Sequence, residues 1–179
     1  VKGELPGVTY DETEYTVTVE ITDNGDGTLT AKASDNATAL NFTNTYEASG
    51  ETQFSGTKTL TGKALEEKQF SFELIGADGK TIETVKNGGD GKFAFSTIKY
   101  ELADAGKTFT YTVKEVKGGA AGVTYDTTIY TIEVEVADNG NGTLSVTATD
   151  NATKLDFTNT YAAEGEIVFS GSKTLTGKA

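Results

Sequence analysis

The chain has 179 residues and a formal net charge of −12, with 21 Gly and no Cys, Met, Trp or His. Without Cys and His, the usual protein ligands of zinc and haem and the usual nucleophile–base pairs are missing, so we expect no metal and no other cofactor. The acidic balance disfavours nucleic acid and anionic membranes as partners, and no stretch approaches the length of a membrane span.

Period-two alternation of Val, Ile, Thr, Tyr and Phe predicts an all-strand chain, interrupted by Gly-, Asn- and Asp-rich turns. A short helical turn is expected only at 102–106. Eight short strands in one stretch of the chain favour an immunoglobulin-like β-sandwich. In chain order, these strands are expected around residues 53–60, 69–75, 80–85, 92–98, 108–117, 128–136, 143–149 and 154–161.

The chain contains an internal repeat. Residues 1–64 align without a gap on residues 116–179, with a period of 115 residues and about two-thirds of the positions identical. Such self-similarity is typical of a tandem array. We therefore interpret 1–47 as the C-terminal half of a preceding repeat, 48–162 as one complete repeat, and 163–179 as the opening strand of the next.

Three polar residues occupy inward positions on otherwise apolar strand faces: Lys58, Glu115 and Asn159. Burying an amine and a carboxyl is costly unless the two groups are paired or neutral. One reaction uses such a set. An uncharged lysine attacks an asparagine side-chain amide, a protonated glutamic acid assists, and ammonia leaves behind an isopeptide bond.

Three motifs resemble the isopeptide-forming domains of Gram-positive pilins and surface adhesins, of the streptococcal major-pilin kind and related to collagen-adhesin B-type domains. They are Lys58-Thr59-Leu60-Thr61-Gly62, Tyr111-Thr112-Val113-Lys114-Glu115 and Phe157-Thr158-Asn159-Thr160-Tyr161. The resemblance implies a collagen-adhesin B-type sandwich in which Lys58 is the nucleophile, Asn159 the electrophile and Glu115 the proton shuttle.

Elementary chemistry is consistent with these roles. Burial lowers the pKa of a lysine and so favours the neutral, attacking form. We expect Glu115, kept protonated by the same burial, to donate to the Asn159 carbonyl. By the repeat period, Asn44 and Lys173 match Asn159 and Lys58, and we expect them to be crosslinked to repeats outside this chain.

The leading functional hypothesis is a structural one. Tandem self-crosslinked repeats would form an extracellular stalk or fibre on a bacterial surface, either cell-wall anchored or part of a fibre. Adjacent repeats of the same polypeptide would be its partners, and a host ligand would be reached through a distal tip domain. The alternative is an adhesin module that binds a host protein or glycan through its sandwich loops. A turnover enzyme is not expected, because Glu115 would act once, on its own chain.

The Asp- and Asn-rich segment at 138–142 is interpreted as a hairpin turn and not as a calcium loop, because the ligand spacing does not fit.

Overall fold

The computed structural model describes residues 3–177, and these residues form an all-β fold in which the only helical elements are three 3₁₀ turns. The turns are Asp35–Thr38, Leu102–Asp104 and Asp150–Thr153. The strands, in chain order, are β1 (Val8–Thr9), β2 (Val19–Asp23), β3 (Leu29–Ala33), β4 (Thr45–Tyr46), β5 (Ser49–Thr52), β6 (Ser55–Thr61), β7 (Ser71–Ile75), β8 (Thr81–Lys86), β9 (Lys92–Ala94), β10 (Ile98–Glu101), β11 (Thr108–Glu115), β12 (Val123–Thr124), β13 (Ile129–Asp138), β14 (Leu144–Ala148) and β15 (Leu155–Tyr161).

Two sheets contain most of these strands. One has four strands in the order β12-β15-β6-β9, and the other has five in the order β14-β13-β11-β7-β8. The pairing of β15 with β6 is parallel, whereas β6–β9, β7–β8, β7–β11 and β12–β15 are antiparallel. The remaining strands form the two-stranded ribbons β1-β4, β2-β3 and β5-β10.

By its internal contacts the chain divides into two compact units. The first unit contains the chain up to Thr52 together with Thr97–Phe109 and Val134–Ala148. The second contains Gln53–Ser96, Thr110–Glu133 and the chain from Thr149 onward.

The core of the second unit lies between its two sheets. Phe72 on β7 stacks on Phe93 on β9 with ring centroids 3.9 Å apart, and it also contacts Phe157 on β15 at 5.2 Å. These side chains are almost fully buried, as are Leu74, Val113, Ile132 and Leu155. Burying each such side chain stabilises the fold by about 1.5–3 kcal/mol relative to exposure. The sequence prediction of a β-sandwich is confirmed.

The first unit contains the junction between residues 1–47 and the residues that follow. The Tyr46 hydroxyl donates to Asp138 Oδ1 at 2.7 Å and accepts the Gly142 N–H at 3.1 Å. Gly7 and Gly142 both have a positive φ, and a Cβ on Gly7 would lie 2.5 Å from the Gly142 α-carbon. This close approach of two backbones requires glycine. Because Ala48 is buried and β5 begins at Ser49, this junction is packed.

Each predicted strand has an observed counterpart, whereas β1 to β5 and β12 were not among the predicted strands. The strand expected at 92–98 is two strands, β9 and β10, because β9 pairs with β6 whereas β10 pairs with β5. Ser96 lies between these two strands and belongs to neither. Its N–H and hydroxyl donate hydrogen bonds to the Glu83 carboxylate at 2.7 and 2.9 Å. The helical turn expected at 102–106 is the 3₁₀ turn Leu102–Asp104.

Matching positions of the repeat differ sharply in burial. Phe157 is 1% exposed but its counterpart Phe42 is 60% exposed, and Phe54 is 0% exposed but its counterpart Phe169 is 87% exposed. Among the described residues after Tyr161 no strand is assigned. Among the described residues, the alternating apolar side chains of the repeat are therefore buried only in the stretch from β5 to β15.

Candidate functional site

Strand β6 places Lys58 inside the sandwich of the second unit. Its burial alternates residue by residue, with Gly56, Lys58 and Leu60 inward. Lys58 is 3% exposed, and its register partner on the parallel strand β15 is Phe157. Alternation along a strand thus turns the amine toward the core, as the sequence predicts.

Asn159 lies on the adjacent strand and on the same inward face. On β15, Leu155, Phe157 and Asn159 alternate with exposed residues, and Asn159 is fully buried. Since Phe157 is the partner of Lys58, Asn159 occupies the next inward position along the neighbouring strand. Strands β6 and β15 therefore lie side by side and carry the amine and the amide.

Glu115 comes from the opposite sheet. It is the last residue of β11, pairs with Phe72 on β7 and is 7% exposed. One oxygen, Oε1, lies 2.8 Å from Lys58 Nζ and accepts a hydrogen bond from Asn159 Nδ2, also at 2.8 Å. A single carboxyl oxygen thus contacts both the amine and the amide nitrogen. The structure brings together all three residues that the sequence pattern selected.

Two buried atoms of this cluster lack hydrogen bonds among the described residues: Lys58 Nζ and Glu115 Oε2. Lys58 Nζ is within ion-pair distance of Oε1, but the angles do not satisfy hydrogen-bond geometry. The two atoms are close enough for proton transfer, which depends first on proximity. Buried polar groups are otherwise almost always satisfied, and exceptions are concentrated at reactive sites.

Burial lowers the pKa of Lys58 below its usual value of 10.5, and the neighbouring Glu115 and Asp126 oppose this shift without reversing it. The apolar wall includes Phe70, whose ring centroid lies 4.8 Å from Lys58 Nζ. The neutral amine is the nucleophilic form of lysine. The surroundings of Lys58 therefore favour the state in which it can attack.

The Asn159 amide is oriented from a second side by a loop that the sequence analysis did not single out. The backbone N–H of Asp126 donates to Asn159 Oδ1 at 2.7 Å. A backbone N–H can only donate, so the atom facing it is the amide oxygen and the amide nitrogen faces Glu115. This corrects the expectation that Glu115 contacts the Asn159 carbonyl.

Asn87 is a further buried residue that the sequence analysis missed. Its Oδ1 accepts the Phe70 N–H at 2.8 Å, and its Nδ2 donates to the carbonyls of Glu66 and Gly88 at 2.8 and 2.9 Å. The side chain thereby anchors the loop before β7, which carries Phe70 against Lys58. An Asn followed by two glycines at 87–89 is by itself a turn signal, so its second role is visible only in three dimensions.

The two other predicted crosslinking residues lie outside this cluster. Asn44 Oδ1 accepts the Asp11 N–H at 2.9 Å, as Asn159 does from Asp126. Lys173 lies in the segment after Tyr161, where no strand is assigned and the side chain is exposed.

Among residues 3–177, no group of three Asp or Glu side chains is arranged to hold a metal ion. No helix in this part of the chain is long and apolar enough to cross a membrane.

Two solved structures are similar to this chain at low sequence identity. The major pilin protein T-13 from Streptococcus pyogenes is 18% identical with a TM-score of 0.37, over 64% of this chain and 53% of that one. A C-terminal fragment of the pilus adhesin SpaC from Lactobacillus rhamnosus GG is 17% identical with a TM-score of 0.39, over 91% of this chain and 62% of that one. This chain thus matches a little over half the length of each. Comparison with curated protein sequences gives no significant match.

A protein-family model gives a more extensive match. The model described as FctA, a Spy0128-like isopeptide containing domain, matches residues 1–47 and 54–162, and the second segment includes Lys58, Glu115 and Asn159. The chain belongs to the FctA family of Spy0128-like isopeptide-containing domains.

Proposed function

We propose that Lys58 and Asn159 are joined by an intramolecular isopeptide bond, formed autocatalytically with Glu115 as the proton shuttle. The observation that carries this proposal is the position of Glu115 Oε1, 2.8 Å from both Lys58 Nζ and Asn159 Nδ2 inside the sandwich. A group that contacts both nitrogens can take a proton from the nucleophile and deliver one to the leaving group.

The proposed reaction requires a neutral amine on Lys58 and a proton on the Glu115 carboxyl. Lys58 Nζ attacks Asn159 Cγ, and the carbonyl electron pair moves onto Oδ1. Glu115 gives its proton to Nδ2 and receives one from Nζ, so that it ends as it began. The Cγ–Nδ2 bond breaks, ammonia leaves, and an amide between Nζ and Cγ remains. The reaction consumes its own reactants and occurs once per chain, so the protein is not a turnover enzyme.

The topology gives this bond a mechanical consequence. Because β6 and β15 are parallel neighbours, the chain enters β6 at one end of their sheet and leaves β15 at the other. A bond between these strands carries tension directly from one to the other, past the residues between Lys58 and Asn159. By analogy with a disulfide, closing a loop of this length stabilises the fold by about 4–5 kcal/mol.

The bond supports a structural function in the pilus-type family to which the chain belongs. We assign the chain to a stalk or fibre of a bacterial pilus or surface adhesin, displayed outside the cell, with neighbouring repeats and pilin-type subunits as partners. A host ligand, in this scheme, is bound elsewhere, by a distal tip.

The same proposal divides the chain into repeats at 1–47, 48–162 and 163–179. The exposure of Phe42 and Phe169, whose counterparts Phe157 and Phe54 are buried, supports the assignment of the flanking segments to incomplete repeats. Asn44 and Lys173 would then be crosslinked to repeats outside this chain. The packed Tyr46 junction supports a stiff connection between one repeat and the next.

Intact-mass spectrometry of the denatured chain tests the bond. We expect the mass to be lower than the sequence sum by one ammonia, and the fragment spectrum to show Lys58 linked to Asn159. Lys58→Ala and Asn159→Ala should each restore the full mass, whereas Lys63→Ala, at an exposed position five residues after Lys58, should not. A full mass for the unaltered, folded chain would refute the proposal, and a second missing ammonia would show that Asn44 or Lys173 also reacts within this chain.

A further inference from the structure

The amide oxygen of Asn159 is held by one donor, the backbone N–H of Asp126, at 2.7 Å. We infer that this N–H is the oxyanion donor of the crosslinking reaction, so that the loop containing Asp126 is a catalytic element alongside Glu115. This role depends on the proposed reaction and adds to it a specific source of transition-state stabilisation.

The chemistry requires such a donor. When Lys58 Nζ adds to Asn159 Cγ, the electron pair of the C=O bond moves to Oδ1, which gains negative charge in a buried, apolar site. Glu115 Oε1 contacts the amide nitrogen, on the other side of the group from Oδ1. The Asp126 N–H already points at the oxygen, and preorganised donors of this kind are most effective where water is excluded.

The loop is held in place by the side chain of the same residue. Asp126 Oδ1 accepts the Thr128 N–H at 2.8 Å, and Oδ2 accepts the Thr158 N–H on β15 at 2.7 Å. Burial acts to raise the pKa of Asp126, but the hydrogen bonds from Thr128 and Thr158 outweigh it and the pKa is lowered overall. The carboxylate therefore stays charged and ties the loop to the strand that carries Asn159. It is a positioning group, whereas the N–H contacts the reacting oxygen.

The repeat provides an independent observation. In residues 1–47, the Asp11 N–H donates to Asn44 Oδ1 at 2.9 Å, the Thr13 N–H donates to Asp11 Oδ1 at 2.8 Å, and the Thr43 N–H donates to Asp11 Oδ2 at 2.7 Å. Each contact matches one around Asp126. The same three hydrogen bonds therefore surround Asn44 and Asn159, although the burial of the two sites differs. The arrangement is thus linked to the Asn side chain and is not a result of general core packing.

A backbone substitution tests the role of the N–H. The full chain is assembled in denaturant with the α-hydroxy analogue of Asp at 126, which replaces the N–H by an ester oxygen and keeps the side chain. Folding is started by dilution, and loss of ammonia is followed by intact mass. The matched control carries the same ester change at Thr127, which is exposed and whose N–H makes no hydrogen bond within residues 3–177.

We expect the ester at 126 to slow bond formation by about 100-fold or more, as for the loss of an oxyanion-hole donor, while circular dichroism shows a folded chain. The control at 127 should react at the rate of the all-amide chain. Equal rates for the two ester chains would overturn the oxyanion role and leave the crosslink itself intact. Failure of the all-amide chain to lose ammonia would instead refute the proposed function.

A second measurement applies if the ester at 126 prevents folding. In a Glu115→Gln chain, which we expect to remain unreacted, nuclear magnetic resonance should show a scalar coupling across the hydrogen bond between the Asp126 amide nitrogen and the Asn159 side-chain carbonyl carbon. The same coupling should be absent after Asn159→Ala. Absence of the coupling in the folded Glu115→Gln chain would remove the basis for the oxyanion role.

Discussion

Lys58 and Phe157 are partners across the parallel ladder between β6 and β15. This pairing register puts Asn159 at the next inward position of the neighbouring strand, beside the Lys58 side chain. A slip of one residue would turn Asn159 to the outside and separate it from the amine. The reactive pair therefore depends on a strand pairing between residues about a hundred positions apart.

Glu115→Gln should abolish or strongly slow bond formation. The amide keeps the shape of the acid but cannot shuttle a proton between Lys58 Nζ and Asn159 Nδ2. The denatured chain should then retain the mass of the ammonia, and the free energy of unfolding should fall by about 4–5 kcal/mol through loss of the crosslink. Glu73→Gln is the matched control, because Glu73 is paired with Lys114 on the outer face and is remote from the reaction. Full crosslinking in Glu115→Gln would show that another acid does the work.

The lowered pKa of Lys58 predicts a pH dependence in a chain that cannot form the bond, such as Asn159→Ala. The folded chain holds the lysine proton less tightly than the unfolded chain, whose lysine titrates near 10.5. Between the two pKa values the unfolded state binds more protons, so the free energy of unfolding rises with pH across this window. Below the folded pKa the burial penalty is complete, and above 10.5 it is gone.

Urea denaturation at a series of pH values measures this slope. The control is a Lys58→Met/Asn159→Ala chain, in which the other titratable groups are kept. We expect the difference between the two chains to shrink as pH increases toward 10.5. Parallel pH profiles would mean that the pKa of Lys58 is not lowered by folding.

Pulling the complete repeat from its two ends tests the mechanical role. With the bond in place only the few residues outside the Lys58–Asn159 loop can extend. Lys58→Ala should release the loop and add roughly 350 Å of contour length, at about 3.5 Å for each of the roughly one hundred residues. Single-molecule force spectroscopy measures this length directly. Release of the same length by the unaltered chain would rule out covalent transmission of force.

Asn87→Ala should destabilise the sandwich by about 1–3 kcal/mol, because the Phe70 N–H and the carbonyls of Glu66 and Gly88 lose their buried partner. The effect is measured by reversible denaturation in the bond-free Glu115→Gln background. Asn139→Ala removes an exposed side-chain contact with Thr143 and serves as the control. Equal losses in the two variants would mean that Asn87 has no special structural role.

Tyr46→Phe should loosen the junction that follows residues 1–47. Removing the hydroxyl deletes the bond to Asp138 and leaves the Gly142 N–H without its acceptor. We expect hydrogen exchange at Gly142 to accelerate about tenfold, which corresponds to loss of roughly 1.4 kcal/mol of local stability. Tyr10→Phe, which removes the acceptor of the Leu5 N–H, should leave the Gly142 rate unchanged. An unaltered Gly142 rate in Tyr46→Phe would argue against a locked junction.

Much of the fold could be predicted from local pattern. Alternation with period two located the strands of the second unit, and it marked Lys58, Glu115 and Asn159 as inward because burial of a strand residue depends on its parity along the strand. The split of 92–98 into β9 and β10 was not predictable in this way, because it depends on which strand each half pairs with.

The sequence by itself determined which side chains share one face of a strand, where the repeat recurs, and which three residues could react, since these follow from periodicity and motif within each segment. Only the tertiary structure decided that β6 and β15 are parallel neighbours and that one Glu115 oxygen contacts both nitrogens. It also decided that the Asp126 N–H, rather than Glu115, holds the Asn159 oxygen. The physical reason is that these are contacts between segments far apart in the chain, and a backbone N–H carries no signature in the sequence that says where it points.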